Sequence, residues 1–479
     1  MSRSAFAAIL LALAPLLLWP GDVPWLIDEP RLIANAWHAN RDGTLATTGL
    51  AGNFGVRYGP LPTQLYQLLL VATHDPATLV LLRALLCGGV TAFGLLWLAR
   101  TLRLPAWFAA PILLAPYVTH FHRVLWDASF AVPIGTLALA AFADFVETKR
   151  VWPLRLCAVM GALAPMIHPQ ALPLAVPIAV VLVWRHRAAL RADRTALLGL
   201  GAVVLALHGV WLVKACGDLA WRLQHSAAAY PGGGSRLHSA LAPFLGGNLL
   251  SGFEAAEKMV SPRGSHGLVV ASQWASQLIY PLIWLGLAVA IRACRDPQPS
   301  TRRTLAGVAL AGLAVQAILF AALRLPTAPQ YYFGTFPLHV LAAWFAIDAL
   351  HRWRLGCVLG ALYCWGVTFI TVGGMLAVHH HGYERTGWPT LRDATAVVRE
   401  LNHFTDTTAL TDVPLYQTSP QPIRALRLLL PPHDDEPRAS GRLLITRGHV
   451  VETDAPPPQA RTIDITPLPR DWIPDPATW

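Results

Sequence analysis

Long apolar segments recur along this chain, and each runs close to twenty residues with few charges. A helix of about twenty apolar residues is what is needed to cross the hydrocarbon core of a bilayer. Only 13% of the residues are charged, whereas a soluble domain carries roughly 25%. The pattern therefore predicts an all-α polytopic membrane protein with about eleven spanning helices. The predicted spans are 4–20, 78–99, 104–120, 128–146, 154–168, 170–185, 195–215, 269–291, 304–323, 333–350 and 355–377.

The basic residues are concentrated in short loops on one side of the predicted membrane. Cytoplasmic loops carry such an excess of Lys and Arg, so we expect a cytoplasmic N-terminus and an extracytoplasmic C-terminus. The Ala-, Leu- and Arg-rich composition fits a bacterial inner membrane, and the net charge of +10 reflects this topology and not a nucleic-acid partner. The basic inside segments hold Arg3; Arg100 and Arg103; Lys149, Arg150 and Arg155; Arg185, Arg187, Arg191 and Arg194; Arg292, Arg295, Arg302 and Arg303; and Arg352 and Arg354.

The longer segments lie on the predicted outer side. We expect a transmembrane domain at 1–377 with outer loops at 21–77 and 216–268, followed by an extracytoplasmic C-terminal region at 378–479. In the first loop, Leu61 to Val71 is amphipathic and too short to span, so it is expected to lie along the membrane surface. In the C-terminal region, Leu391 to Leu401 predicts a helix and Arg442 to Val451 a strand. This region is expected to be small and α/β, or partly disordered because of its prolines.

An acidic pair, Asp28-Glu29, follows the first predicted span. Carboxylates close to hydrocarbon are costly to desolvate and often have a function. Asp is also a good residue for the start of a helix, here expected at 30–39. Both interpretations stay open for this pair, and they can coexist.

Three further outer segments carry charged or aromatic residues. Arg123 and Asp127 lie in a short turn after the third span, where they could be functional or form a simple ion pair. The segment Arg57-Tyr58-Gly59-Pro60-Leu61-Pro62 could place a guanidinium on a phosphate or anchor the interface. The same alternatives apply to Arg324 with Gln330-Tyr331-Tyr332. The cluster His379-His380-His381 is more typical of a solvated interface than of a metal site, because no further ligand is placed by spacing.

The order of these motifs resembles the GT-C superfamily of lipid-linked-sugar glycosyltransferases, in the branch of protein O-mannosyltransferases and bacterial aminoarabinose transferases. In that branch an acidic pair ends the first span, and a K-P-P-L-x-Y-like segment precedes an A-L-R-L-like second span. Here Asp28-Glu29, Arg57 to Tyr66 and Leu81 to Leu86 match in the same order, over roughly the first 350 residues. The family's Lys is replaced by Arg57 and one of its prolines by Gly59.

The resemblance implies transfer of a sugar from a polyprenyl-phosphate donor to an extracytoplasmic acceptor, with inversion at the anomeric carbon. It makes Asp28 the base, with Glu29 as its neighbour or substitute. It leaves Asp127 either to position sugar hydroxyls or to share a bound divalent cation, and it implies no other cofactor. Arg57, Arg123 and Arg324 become candidates for the lipid phosphate, Tyr58 lies in the same matched segment, and Tyr331 and Tyr332 become candidates for the sugar or the lipid entrance.

Two other classes of protein share some of these features. A transporter of a lipid-linked substrate would need many spans, but its site is expected near the midplane, often between repeated halves, and the sequence shows no such repeat. A non-catalytic membrane scaffold of an envelope glycan pathway would not depend on Asp28. The acceptor, whether lipid, glycan or protein, is not specified by the sequence.

Overall fold

The computed structural model describes residues 3–26, 28–52, 57–225, 236–245, 281–323, 329–351, 354–383, 389–402, 410–411, 421–430, 443–446, 449–452 and 462–464. The helices within these ranges are α1 (Arg3–Leu13), α2 (Asp28–Arg41), α3 (Leu61–Ala72), α4 (Pro76–Thr101), α5 (Ala109–Leu114), α6 (Pro116–Arg123), α7 (Ala131–Thr148), α8 (Val151–Ile167), α9 (Leu172–Arg185), α10 (Arg187–Ala192), α11 (Arg194–His225), α12 (Arg236–Leu241), α13 (Pro281–Cys294), α14 (Thr301–Leu323), α15 (Phe336–His351), α16 (Arg354–His381), α17 (Leu391–Asn402) and α18 (Gln421–Leu429).

Most of the predicted spans correspond to one of these helices. Among the described residues, five helical segments are long and apolar enough to cross a membrane, and several shorter helices are also apolar. The five long segments are Pro76–Thr101, Ala128–Thr148, Arg194–Asp218, Thr301–Ala322 and Leu362–His380. Helix α11 continues to His225, whereas its apolar segment ends at Asp218, close to residue 216 where the outer loop is predicted to begin.

The third predicted span, 104–120, is wrong as a single helix. A 3₁₀ turn at Ala106–Phe108 leads into α5, and the chain is extended at Ala115 before α6 begins at Pro116. Proline lacks the N–H that a continuous helix would need, and it disfavours helical geometry in the residue before it. Helix α6 then runs on to Arg123, which reduces the predicted outer turn to the few residues before Asp127.

Helices α4, α7, α9 and α15 connect two ends of the molecule. Near their N-terminal ends, Arg83 of α4 reaches the chain just before α7, and Gly334, just before α15, lies against Ala171, just before α9. Their C-terminal ends converge on one cavity, described below. Helix α7 has 18 residues, which corresponds to about 27 Å at the usual rise of an α-helix. This length is close to the thickness of a bilayer's hydrocarbon core.

The C-terminal region adds a four-stranded sheet in the order β1 (Leu410–Thr411), β2 (Leu443–Thr446), β3 (His449–Glu452) and β4 (Thr462–Asp464). Strands β1 and β2 are parallel, and the other neighbouring pairs are antiparallel. The predicted helix from Leu391 is α17, and the predicted strand within 442–451 corresponds to β2 and part of β3. The described part of this region thus contains both helices and short strands.

The start of α17 is joined to the first outer loop by backbone hydrogen bonds. Trp25 N–H donates to the Pro389 carbonyl (3.0 Å), and Leu391 N–H donates to the Val23 carbonyl (2.8 Å). Thr390 and Asp393 cap the helix reciprocally: the Thr390 hydroxyl donates to Asp393 (2.7 Å) and accepts from the Asp393 N–H (3.1 Å). The C-terminal region is therefore fixed to the chain a few residues before Asp28.

Candidate active site

The acidic pair begins α2, and its two carboxylates have different surroundings. Glu29 is buried, and its Oε2 accepts the backbone N–H of Leu26 at 3.2 Å, as a residue that caps a helix start does. Asp28 is only half-buried, in the first turn where a negative charge is favoured by the helix dipole. Glu29 therefore caps the start of α2 by accepting a backbone N–H from the preceding segment. The Asp28 carboxylate does not take part in this cap and has a different hydrogen-bond partner.

That partner is Trp126. Its indole Nε1–H donates to Oδ2 of Asp28 at 3.2 Å, across 98 residues of sequence. Burial raises the pKa of Asp28, while the positive charge of Arg31 and the Trp126 hydrogen bond act in the opposite direction. Arg31 and Trp126 thus stabilise the ionised form of the Asp28 carboxyl group, against the effect of burial.

Asp127 follows Trp126 directly and is almost completely buried, with 1% of its surface exposed. Its Oδ1 accepts the Ala128 N–H at 2.6 Å, whereas its Oδ2 has no hydrogen-bond partner among the described residues. Burial, and next the charge of Asp28, raise the pKa of Asp127 to about 7. The turn therefore brings a second carboxyl group, with one buried oxygen that lacks a hydrogen-bond partner in the described part of the chain, into the electrostatic field of Asp28.

Arg83 holds this turn in place from α4. Its guanidinium donates to the carbonyls of Phe121 (3.0 Å), His122 and Trp126 (3.2 Å), and to the Ser129 hydroxyl. It also lies over the Phe130 ring, 4.9 Å from the centroid. An Arg fork can satisfy several acceptors in fixed directions, which a Lys cannot do. Arg83 is fully buried. Its hydrogen bonds fix the conformation of the turn between α6 and α7.

The aromatic segment before α15 reaches the turn through Phe333. The Phe333 ring lies 4.7 Å from Phe121 and 5.8 Å from Trp126, both edge-on. The predicted residues Tyr331 and Tyr332 are buried beside it, and Tyr332 packs against Phe320 at 5.5 Å. Gln330 precedes them in the same 3₁₀ turn. Phe333 therefore packs directly against Trp126.

Arg123 binds the end of the first apolar segment. Its guanidinium donates to the carbonyls of Leu18 and Trp19, both at 2.6 Å. The Arg123 guanidinium is therefore hydrogen-bonded to two backbone carbonyl oxygens. It does not form the ion pair with Asp127 that the sequence left open. On the other side of the same segment, Asp22 pairs with His379 (2.8 Å) and Arg392 (3.2 Å).

His379 also stacks on Trp19, with ring centroids 4.4 Å apart. The first histidine of the predicted solvated cluster is thus a structural contact between α16 and the first outer loop. No group of three or more potential metal ligands occurs among the residues that the structure describes.

Arg57 and Tyr58 lie in the short segment that precedes α3. Arg57 is exposed; its N–H donates to Asp218 (3.3 Å) and its carbonyl accepts from Trp211 (2.8 Å). Its guanidinium makes no ion pair with any described residue. The Tyr58 ring lies 4.7 Å from that of His168. Arg57 is therefore held by its backbone, with its charged group left available.

Gly59 stands where the motif that the sequence resembles has a proline, and its packing leaves no room for a side chain. A Cβ added to Gly59 would lie 2.0 Å from the carbonyl oxygen of Met166. Any side chain would therefore have to displace the backbone of α8, and a proline ring would meet the same obstacle. Arg324, the last predicted phosphate ligand, lies outside the described residues.

Sequence reasoning missed three residues of this site: Arg83, Trp126 and Phe333. Arg83 offered a signal, because an ionisable residue within an apolar span is costly and usually has a defined partner. Trp126 and Phe333 offered none, since aromatic residues near the membrane interface are common whatever their role.

The architecture occurs in a known protein. The crystal structure of ArnT from Cupriavidus metallidurans in the apo state matches this chain with a TM-score of 0.55 and 15% sequence identity, over 92% of this chain and 93% of that one. This chain has the fold of ArnT. The expected helical, polytopic membrane fold is therefore confirmed.

A second structure of ArnT from the same organism, bound to undecaprenyl phosphate, matches with a TM-score of 0.49 and 14% identity, over 93% of each chain. No family profile matches this sequence. No curated protein matches it either.

Proposed function

We propose that this chain is an inner-membrane glycosyltransferase that moves a sugar from a polyprenyl-phosphate donor to an extracytoplasmic acceptor. The observation that carries the proposal is the meeting of Asp28 with the Trp126–Asp127 turn, at one end of a fold shared with ArnT. The family resemblance of the sequence motifs supports the same reaction class independently. Two carboxyl groups in different environments are a common basis for acid–base chemistry on sugars.

Asp28 is proposed as the base. It is half-buried, so an acceptor can reach it. Burial raises its pKa, which suits a proton acceptor, and Arg31 and Trp126 oppose that rise by favouring the ionised form. In the proposed step the acceptor O–H gives its proton to Asp28, its oxygen bonds to the anomeric carbon, and the bond from that carbon to the phosphate oxygen breaks. The electron pair leaves with the polyprenyl phosphate, and attack opposite the leaving group inverts the anomeric centre.

Asp127 is proposed to bind the donor sugar through its Oδ2, which has no hydrogen-bond partner among the described residues. This atom is buried, and in the proposal it becomes accessible when the turn shifts on donor binding. A carboxyl group with a pKa of about 7 is partly protonated at neutral pH and can both donate and accept a hydrogen bond. Glu29 contributes through the position of α2. These roles use only groups that the turn and α2 hold close together.

Arg57 is proposed to stabilise the departing phosphate, because its guanidinium is exposed and its backbone is fixed on both sides. A positive charge at the leaving group favours the transition state. Arg123 is already bound to Leu18 and Trp19, so its contribution is to the shape of the site. The acceptor and the sugar are left to experiment.

The test is a turnover assay on the purified full chain with a panel of radiolabelled polyprenyl-phosphate sugars. Wild type is compared with Asp28→Asn, and with Asp42→Asn as a control in an exposed turn just after the same helix. The proposal predicts sugar release or transfer by wild type and Asp42→Asn, and its loss in Asp28→Asn with folding intact. Equal turnover by wild type, Asp28→Asn and Asp42→Asn would show that Asp28 is not the base. If no donor is consumed with membrane extract supplied as the acceptor source, the result favours the scaffold.

A further inference from the structure

A cavity of about 690 Å³ lies at the other end of the bundle, where α4, α7, α9 and α15 end. It is lined by residues of the loops that the sequence predicts to be cytoplasmic, including the start of α14. The lining residues used below are Arg103, Glu147, Lys149, Arg185, His186, Arg302 and Asp348. The proposed transfer site has no part in this cavity.

The cavity carries more positive than negative charge. Glu147 is paired with Arg103 at 3.2 Å, and Asp348 with Arg302 at 2.6 Å, so each acid that lines it already has a cation. Lys149 and Arg185 are left over, and neither forms an ion pair with a described residue. Two cations are therefore available for an anionic ligand.

Lys149 and Arg185, the two cations of the cavity without an ion pair to a described residue, lie at the C-terminal ends of different helices. Lys149 ends α7 in a left-handed conformation, and its Nζ donates to the Val146 carbonyl at 2.6 Å, which leaves further N–H donors of the ammonium group. Arg185 ends α9 and is exposed. The pKa of His186, beside them, is lowered first by burial and then by the charges of Lys149 and Arg185. The local potential is thus positive.

An apolar groove of about 430 Å³ adjoins this cavity and shares Arg185 and Thr304 with it. Its other walls are the apolar side chains of Val180, Val181 and Trp184 on one side, and Cys294, Arg303 and Gly307 on the other. Trp184 is 80% exposed in the last turn of α9, and Trp near the end of a spanning helix is typical of the membrane interface. A water-soluble anion would occupy only the cavity and leave the groove empty. A ligand with a charged head group and an apolar chain would fill the cavity with its head and the groove with its chain.

We infer that an anionic phospholipid binds here, with its phosphate on Lys149 and Arg185 and an acyl chain along Val180, Val181 and Trp184. The head carries the charge that the cavity lacks, and the chain covers apolar surface that is otherwise exposed. Basic pockets between spanning helices are a recurrent means of holding anionic lipid heads. The inference does not depend on the transfer reaction.

The test is native mass spectrometry of the full chain in detergent, titrated with dioleoyl phosphatidylglycerol, with dioleoyl phosphatidylcholine, and with glycerol 3-phosphate. The variant Lys149→Gln/Arg185→Gln removes the two free cations. The control Arg187→Gln/Arg191→Gln removes two exposed charges from α10, outside the cavity lining. Size-exclusion profiles verify that both variants are folded.

We expect one tightly held phosphatidylglycerol on wild type and on the control, and affinity about 30-fold lower for the cavity variant. Phosphatidylcholine is expected to bind more weakly and without dependence on the variants. Equal loss in the control would assign binding to general positive charge and overturn the inference. Equally tight binding of phosphatidylcholine would also overturn it, as would displacement of the lipid by equimolar glycerol 3-phosphate, which would indicate a soluble phosphate site.

Discussion

The indole nitrogen of Trp126 donates a hydrogen bond to the Asp28 carboxylate at 3.2 Å. This contact joins the first residue of α2 to the turn that carries Asp127, and Arg83 holds that turn from α4. The position of the proposed base is therefore set by three separate parts of the chain. Each of them can be changed without touching the others.

Trp126→Phe removes the hydrogen bond but keeps an aromatic ring beside Phe333. We expect transfer at pH 7 to fall about tenfold, in line with the loss of one hydrogen bond to a charged group. Because this bond lowers the pKa of Asp28, its loss raises that pKa, and the acid limb of the pH–rate profile moves to higher pH. Trp107→Phe, at a 38% exposed position against Phe108, is the control. An unmoved acid limb in Trp126→Phe would contradict the role given to this bond.

Asp127→Asn tests the buried carboxyl through protein stability. The folded pKa of about 7 exceeds the unfolded value of about 3.9, so the folded protein holds the extra proton between these values. Stability therefore falls as pH rises through this window, and the asparagine variant lacks that dependence. We expect the variant to gain about 1–3 kcal/mol relative to wild type between pH 5 and pH 8, measured by detergent unfolding titrations. A wild type and a variant with the same pH dependence would show that Asp127 is not a buried acid.

Arg83→Lys tests whether the turn needs a guanidinium. A Lys ammonium cannot reach three carbonyls and a hydroxyl at once, so at least one buried acceptor loses its partner. That loss is expected to destabilise the fold by about 1–3 kcal/mol and to reduce transfer. Arg100→Lys, at the exposed end of the same helix, is expected to leave both quantities unchanged. Wild-type stability and activity in Arg83→Lys would mean that the turn is held by its other contacts.

The sequence was sufficient for the fold where hydrophobicity alone decides the outcome. Apolar length predicts most of the helices, and the motif order points to Asp28 and Asp127, which the structure brings close together. The roles of these two residues and of Arg57 stay predictions. The broken third span was missed because its prolines stop helices locally, while mean hydropathy over twenty residues does not register them. The resemblance makes Arg123 an alternative candidate for the lipid phosphate, yet its guanidinium donates to the carbonyls of Leu18 and Trp19. That contact could not be predicted, because pairing across 104 residues leaves no periodic pattern in the sequence.

Gly59→Ala tests the packing of the Arg57 segment. The added Cβ would lie 2.0 Å from the Met166 carbonyl oxygen, so either the segment or α8 must shift, at a cost of about 1–3 kcal/mol. The matched control is Gly89→Ala on α4, where a Cβ meets nothing within 4 Å, and where Ala is the better helix former. Thermal unfolding in detergent is expected to show a lower midpoint for Gly59→Ala and an unchanged or higher one for Gly89→Ala. Equal midpoints would contradict the close approach.

The most direct test of the central claim is the single-turnover rate of sugar transfer by Asp28→Asn at saturating donor, with donor affinity measured in parallel. If Asp28 is the base, the chemical step slows by about 10²–10⁴-fold, while the donor binds as tightly as it does to wild type. A rate equal to that of wild type, with the donor bound, would contradict the assignment of Asp28 and with it the proposed mechanism.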